Sequence, residues 1–129
     1  IEAAQFKAKN HDGTTAPRGV RYIQDYKVGH EKGTIVDVYD VIGLPDTAIL
    51  AAQRFIEAQI GKPYDERGLV GFALRRHVER PGAWFCSELW AGAFDSIGVP
   101  WLVDKKPYQC TPTDLKQSKH AQFRERRVT

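Results

Sequence analysis

The fold is decided by the stretch WFCSELWAGAF, residues 84–94, which predicts an aromatic-flanked entry into an α-helix. Apolar residues of this stretch and the next turn recur at the three- to four-residue spacing of an inward helix face: Leu89 or Trp90, Ala93 and Ile97. Gly98 supplies a stop signal and Pro100 prevents the helix from resuming. A helix beginning near Cys86 is therefore the centre of the predicted fold.

Cys86 lies in the first turn of that predicted helix. Unpaired backbone N–H groups and the positive end of the helix dipole favour the thiolate there, which is the nucleophilic form of cysteine. We therefore expect Cys86 to be a catalytic nucleophile. The alternative is a small buried hydrophobic residue, since lone cysteines are often buried. The neighbouring residues have alternative interpretations as well. The aromatic side chains are also typical of core packing, and Ser87 and Glu88 are also typical of ordinary interactions with the helix dipole.

The 129 residues predict one domain, with 42% hydrophobic and 27% charged residues, which is ordinary for a globular protein. The net charge is only +3, and the basic excess gathers at about residues 116–129. This run predicts a solvated, frayed C-terminal tail, in preference to a nucleic-acid or membrane patch. No apolar run approaches the roughly 18 residues of a membrane span. The sequence thus predicts neither nucleic-acid binding nor a transmembrane segment.

The two cysteines, Cys86 and Cys110, are too few for a disulfide framework. A bridge between them is disfavoured, because a thiol needed for chemistry must be unbonded. No Cys/His cluster has metal-ligand spacing, so we expect neither a metal site nor a cofactor.

The order of hydrophobic patterns predicts an α+β domain with an antiparallel sheet, because strands precede helices along the chain. Strands are expected at residues 1–6, 19–26, 34–41 and, more weakly, 101–103. Helices are expected at residues 47–60, after an Asp46 N-cap, and at residues 69–77. The inward face of the first of these helices is predicted from the spacing of Ala48, Ala52, Phe55, Ile56 and Ile60. Thr111 is a plausible N-cap for a further helix, with Pro112 at its first position.

A thiolate nucleophile needs a base, usually a histidine. The sequence contains four histidines, and none of them lies on a predicted strand: His11, His30, His77 and His120. Each is interpreted as a solvated surface residue, His120 within the basic tail. The residues alone therefore do not identify the general base.

Two motifs carry a family resemblance: GKPYD at residues 61–65 and FCSEL at residues 85–89. Taken alone, the first is also typical of a helix stop and turn. Together they resemble the paired motifs of NlpC-type papain-like cysteine hydrolases, and most closely the circularly permuted YiiX/YaeF-like branch related to lecithin retinol acyltransferase. Small apolar residues at 68–72 and the Thr-Pro-x-x-Leu run at 111–115 match that branch too. The resemblance covers most of residues 1–115.

The resemblance implies a single papain-like domain over residues 1–129, with a small antiparallel sheet packed on the helix that starts at Cys86. In the permuted branch a strand with an Ile-Glu-Ala run carries the orienting glutamate, which corresponds to Glu2 here. The histidine strand precedes it, so the expectation is that this strand lies upstream of residue 1 or is supplied by a second chain. The alternative for Glu2 is an ordinary exposed strand residue.

The resemblance also implies thiol hydrolase or acyltransferase chemistry on an amide or ester, with Cys86 and Glu2 catalytic and Tyr64 and Ser87 binding substrate. The substrates expected are cell-wall peptides or acyl and lipid groups, with no cofactor and no metal. A soluble protein of bacterial or phage origin is expected, and the sequence does not distinguish the cytoplasm from the cell envelope. The alternatives are a non-catalytic binding or structural module with this fold, and a fragment that needs a histidine from elsewhere.

Overall fold

The computed structural model describes residues 2–4, 8–9, 12–23, 25, 30, 32–64 and 86–129. The strands are β1 (Glu2–Ala4), β2 (Ala8–Lys9), β3 (Thr15–Ala16), β4 (Gly19–Arg21), β5 (Ile35–Val41) and β6 (Ala121–Val128). The helices are α1 (Asp46–Ala58), α2 (Cys86–Ser96) and α3 (Pro112–Leu115), with a 3-10 turn at Pro107–Gln109. The mixed α+β class with small antiparallel sheets is confirmed. The helix predicted at residues 69–77 lies outside the described residues.

A small sheet joins the beginning of the chain to the turn that follows α1. β1 and β4 pair antiparallel, with Ala3 opposite Val20. The Val20 N–H donates to the Lys62 carbonyl at 2.8 Å, and the Gly61 N–H donates to the Val20 carbonyl at 2.8 Å. β4 is therefore held from both sides, and residues 61–62 of the GKPYD motif have a fixed position beside it.

A two-stranded ribbon of β5 and β6 occupies the region where a basic tail was predicted. The strands pair antiparallel from Ile35 opposite Val128 to Val41 opposite Ala121. The frayed tail is therefore wrong for residues 121–128, although most of these side chains are exposed. Arginines of β6 pair across the ribbon with carboxylates of β5, as in the contact of Arg126 Nε with Asp37 Oδ1 at 2.6 Å. The carboxylates that neutralise the basic run lie far away in sequence.

α1 and α2 pack against each other and form the main core with Trp101. The buried members of this cluster are Ala52, Ala93, Phe94 and Trp101. The Trp101 indole N–H donates to the Leu115 carbonyl at 2.8 Å. The strand predicted at residues 101–103 is wrong, because these residues form turns that direct Trp101 into the core.

Of the two predicted helix caps, one is confirmed and the other is wrong. α3 begins after Thr111, whose Oγ1 accepts from the Asp114 N–H at 3.1 Å, so the predicted cap is confirmed. The predicted Asp46 cap is wrong, because α1 includes Asp46 and follows Pro45 without a side-chain cap. Ile60, predicted on the inward face of this helix, is 46% exposed.

His120 is buried, so the prediction of a solvated surface histidine is wrong there. Its Nδ1 lies 3.0 Å from the Ile42 carbonyl, and its ring lies 5.9 Å from the Trp101 ring. His30 is exposed, as predicted. His11 and His77 lie outside the described residues.

A candidate thiol site and its cleft

Cys86 is the first residue of α2 and is exposed. The alternative of a small buried hydrophobic residue is therefore wrong for Cys86. Neither cysteine of the chain forms a disulfide, in agreement with the sequence. The thiol thus combines access from solvent with a position at the positive end of a helix dipole, the setting that favours a thiolate.

Cys110 provides the contrast. It is buried, and its Sγ donates to the Lys106 carbonyl at 3.4 Å. Burial raises the pKa of Cys110 to about 11, because the charged thiolate is poorly solvated there. This thiol is a structural one with very little thiolate at neutral pH.

The two thiols are expected to react very differently with a thiol reagent such as 5,5′-dithiobis(2-nitrobenzoate). The native protein should release about one equivalent of chromophore at pH 7.5, because only Cys86 is exposed and only its thiolate is accessible. Unfolding in guanidinium chloride should release the second equivalent from Cys110. Two fast equivalents from the native protein would contradict the buried position of Cys110.

A cleft of about 770 Å³ lies between α1 and α2, and Cys86 lies on its wall. From α1 the cleft is lined by Ile49, Ala52, Gln53, Ile56 and Glu57. From α2 it is lined by Cys86, Leu89, Trp90 and Phe94, and beyond the helices by Tyr22 and Ile60. The volume falls within the range of about 300–1,000 Å³ that small-molecule sites occupy. The exposed thiol therefore adjoins a space large enough for a substrate.

Tyr64 is held near α2 by apolar packing. It is half-buried and packs with Ile56 against a cluster formed by Val20 of β4 and Leu89 of α2. Leu89 follows Cys86 by three residues, so it lies about one turn along the helix. Residues 61–64 of the GKPYD motif and the first turns of α2, which begin 22 residues after Tyr64, are thus brought into one region.

Glu2 lies on β1, and β1 contacts α2. The strand register places Glu2 opposite Arg21, whereas Ala3 is opposite Val20, which packs on Leu89. Arg21 is buried, and its guanidinium donates to the Pro17 carbonyl at 3.0 Å. The structure brings the strand of Glu2 to the helix of Cys86, and the catalytic role of Glu2 stays a prediction.

Ser87 is fully buried, and its Oγ has no hydrogen-bond partner in the part of the chain that the structure describes. Glu88 is also buried. Ser87 is not among the described residues that line the cleft, so its position does not favour the predicted contact with substrate. That role stays a prediction.

Sequence reasoning missed most of the cleft wall. A partial signal was present, because Ala52, Ile56 and Ile60 belong to the helix face that the spacing predicts as inward, but that spacing indicates core packing and not a cleft. Tyr22 lies on the strand expected at residues 19–26, but β4 ends at Arg21, so the expected alternation does not indicate the side that Tyr22 faces. Neither His30 nor His120 lines the cleft.

A second cavity, of about 410 Å³, lies between the ribbon and α2. Tyr39 and Val41 of β5 line it together with Trp101, Leu115 and Trp90. Trp90 also lines the larger cleft, so its indole ring is a wall shared by both cavities.

Among the described residues there is no group of three or more His, Cys, Asp or Glu side chains that could hold a metal ion. No helix in the described ranges is both long enough and apolar enough to cross a membrane. In comparisons with known proteins, no family model, curated protein or solved structure matches this chain.

Proposed function

We propose that this protein is a thiol hydrolase or acyltransferase, with a circularly permuted papain-like fold, that acts on an amide or ester bond through Cys86. The observation that carries the proposal is an exposed thiol in the first turn of an eleven-residue helix, on the wall of a cleft of about 770 Å³. Helix start, exposure and an adjacent cleft are the features that distinguish reactive cysteines from structural ones.

In the proposed reaction the Cys86 thiolate attacks the carbonyl carbon, forming a C–S bond. The bond from that carbon to the leaving oxygen or nitrogen then breaks, and the leaving group takes up the proton that the thiol lost when it ionised. Water or an amine attacks the resulting thioester, releasing the acid or amide and restoring the thiol. The Cys86 backbone N–H at the helix start is a suitable donor to the developing oxyanion. Contact between β1 and α2 supports a role for Glu2 in orienting the base.

A second candidate function is a binding module with this fold and no turnover. It is favoured by the absence of His30 and His120 from the cleft wall. A thiolate nucleophile works with a base, and neither of these histidines offers one at the cleft.

Alkylation of Cys86 by iodoacetamide between about pH 5 and 9 separates the two functions. The rate, followed for each cysteine by peptide mass spectrometry, should inflect well below the reference thiol pKa of about 8.5 if Cys86 is an activated nucleophile. Cys110 serves as the internal control, since burial raises its pKa to about 11. An ordinary inflection near 8.5, together with no ester or amide turnover, would favour the binding module.

A further inference from the structure

The walls of the cleft beside Cys86 are mainly apolar. The two helices and the turn after α1 contribute aliphatic and aromatic side chains: Ile49, Ile56, Ile60, Leu89, Trp90 and Phe94. At the mouth, Ile60 and Tyr22 are 46% and 67% exposed. Large apolar side chains exposed together around a concave surface mark ligand or partner sites.

The polar groups of the described wall are few and are concentrated on α1. Gln53 donates from Nε2 to Glu57 Oε1 at 3.1 Å, so these two side chains bond to each other. No lysine or arginine is present among the described residues that line the cleft. A peptide would bring amides and a carboxylate to walls that offer few donors, and unpaired polar groups in such a site weaken binding.

We propose that this cleft binds the aliphatic chain of an acyl ester or thioester and presents its carbonyl carbon to Cys86 Sγ. The inference rests on the proposed function and selects acyl groups over cell-wall peptides as its substrate class. Apolar walls gain free energy from each methylene that leaves water. The Glu57 carboxylate, without a cation on the described wall, disfavours a free fatty acid whose charged end enters the cleft, so a neutral ester or thioester is the form bound.

Binding is measured first without turnover, by calorimetry with a series of primary amides of straight-chain acids, from butanamide to decanamide, added to the Cys86→Ala variant. These amides carry a neutral carbonyl and an alkyl chain. The dissociation constant should fall about fourfold for each added methylene, which corresponds to the transfer free energy of one methylene group. A dissociation constant independent of chain length would overturn the proposal.

Matched variants test whether the aliphatic chain binds in the cleft. Ile60 and Leu50 are equally exposed, at 46% each, but only Ile60 lines the cleft. Ile60→Gln and Ile49→Gln should each weaken binding of decanamide by about tenfold, because each puts an amide on the apolar wall. Leu50→Gln should leave binding within twofold of the parent. Equal loss in all three variants would contradict a site in the cleft, and circular dichroism checks that each variant folds.

The wild-type protein with p-nitrophenyl esters of increasing chain length separates this inference from the proposed function. A value of kcat/KM that rises with chain length supports both. If Cys86→Ala binds longer chains more tightly but the wild type shows no turnover, the cleft is an aliphatic site and the proposed hydrolase function is overturned. Turnover that does not change with chain length supports the hydrolase and overturns the acyl cleft.

Discussion

The Cys86→Ala variant should lose about 10⁴-fold or more of the ester or amide turnover of the wild-type protein. Removing a nucleophile leaves only binding and oxyanion stabilisation, and losses of this size follow when one member of a catalytic set is deleted. The measurement is kcat/KM for a p-nitrophenyl ester, with mass spectrometry of the acyl-enzyme in the wild type.

The matched control is Cys110→Ala, the same side-chain change at the other thiol. Cys110 is buried and bonds to the Lys106 carbonyl, so this variant should lose some stability but keep kcat/KM within about threefold. Turnover by Cys86→Ala comparable to the wild type would show that the reaction, if present, does not use this thiol. Equal losses in both variants would point to a folding effect.

Gly19→Ala should lower the free energy of unfolding by about 3 kcal/mol, which combines a strained backbone with a steric overlap. Gly19 has a φ of +100°, and a Cβ there would lie 2.4 Å from the Lys62 carbonyl oxygen. That oxygen accepts the Val20 N–H, so it cannot move without weakening the bond between β4 and the GKPYD turn. Urea denaturation followed by circular dichroism measures the loss.

Gly13→Ala separates the two contributions. Gly13 has a φ of +82° but open space around the position of a Cβ, so it carries the backbone strain without the overlap. Its expected loss is about 1 kcal/mol. Equal losses at Gly13 and Gly19 would show that the contact with Lys62 contributes nothing. Gly19→Ala should also slow alkylation of Cys86, because Tyr64 follows Lys62 closely and packs against the cluster of Val20 and Leu89.

Elements with strong local signals could be predicted from the sequence. β5 is rich in β-branched and aromatic residues, α2 has a clear apolar period, and the Thr111 cap is a local hydrogen bond. The strand β6 was not predicted because its charges are typical of solvated tails, and its pairing with β5 spans up to 93 residues, as between Ile35 and Val128. Single-sequence patterns contain no information about such a distant partner.

The candidate site likewise has one part that the sequence predicts and another that it does not. The position of Cys86 at a helix start follows from local pattern, and so does the turn that precedes Tyr64. The cleft depends on how α1 packs against α2, which no window of sequence contains. His120 was misplaced because its burial comes from Trp101 and Ile42, both distant in sequence.

The β5–β6 ribbon sets the order in which this chain can fold. Closing a loop of 89 residues, the separation of Asp37 and Arg126, costs about 4 kcal/mol of chain entropy. Because β6 follows α1 and α2 in the chain, β5 can pair with it only after all three elements have been synthesised. Until then the IVDVYDV segment at Ile35–Val41 presents an unpaired strand edge, the kind of surface that promotes aggregation. A low expression temperature should therefore favour soluble protein.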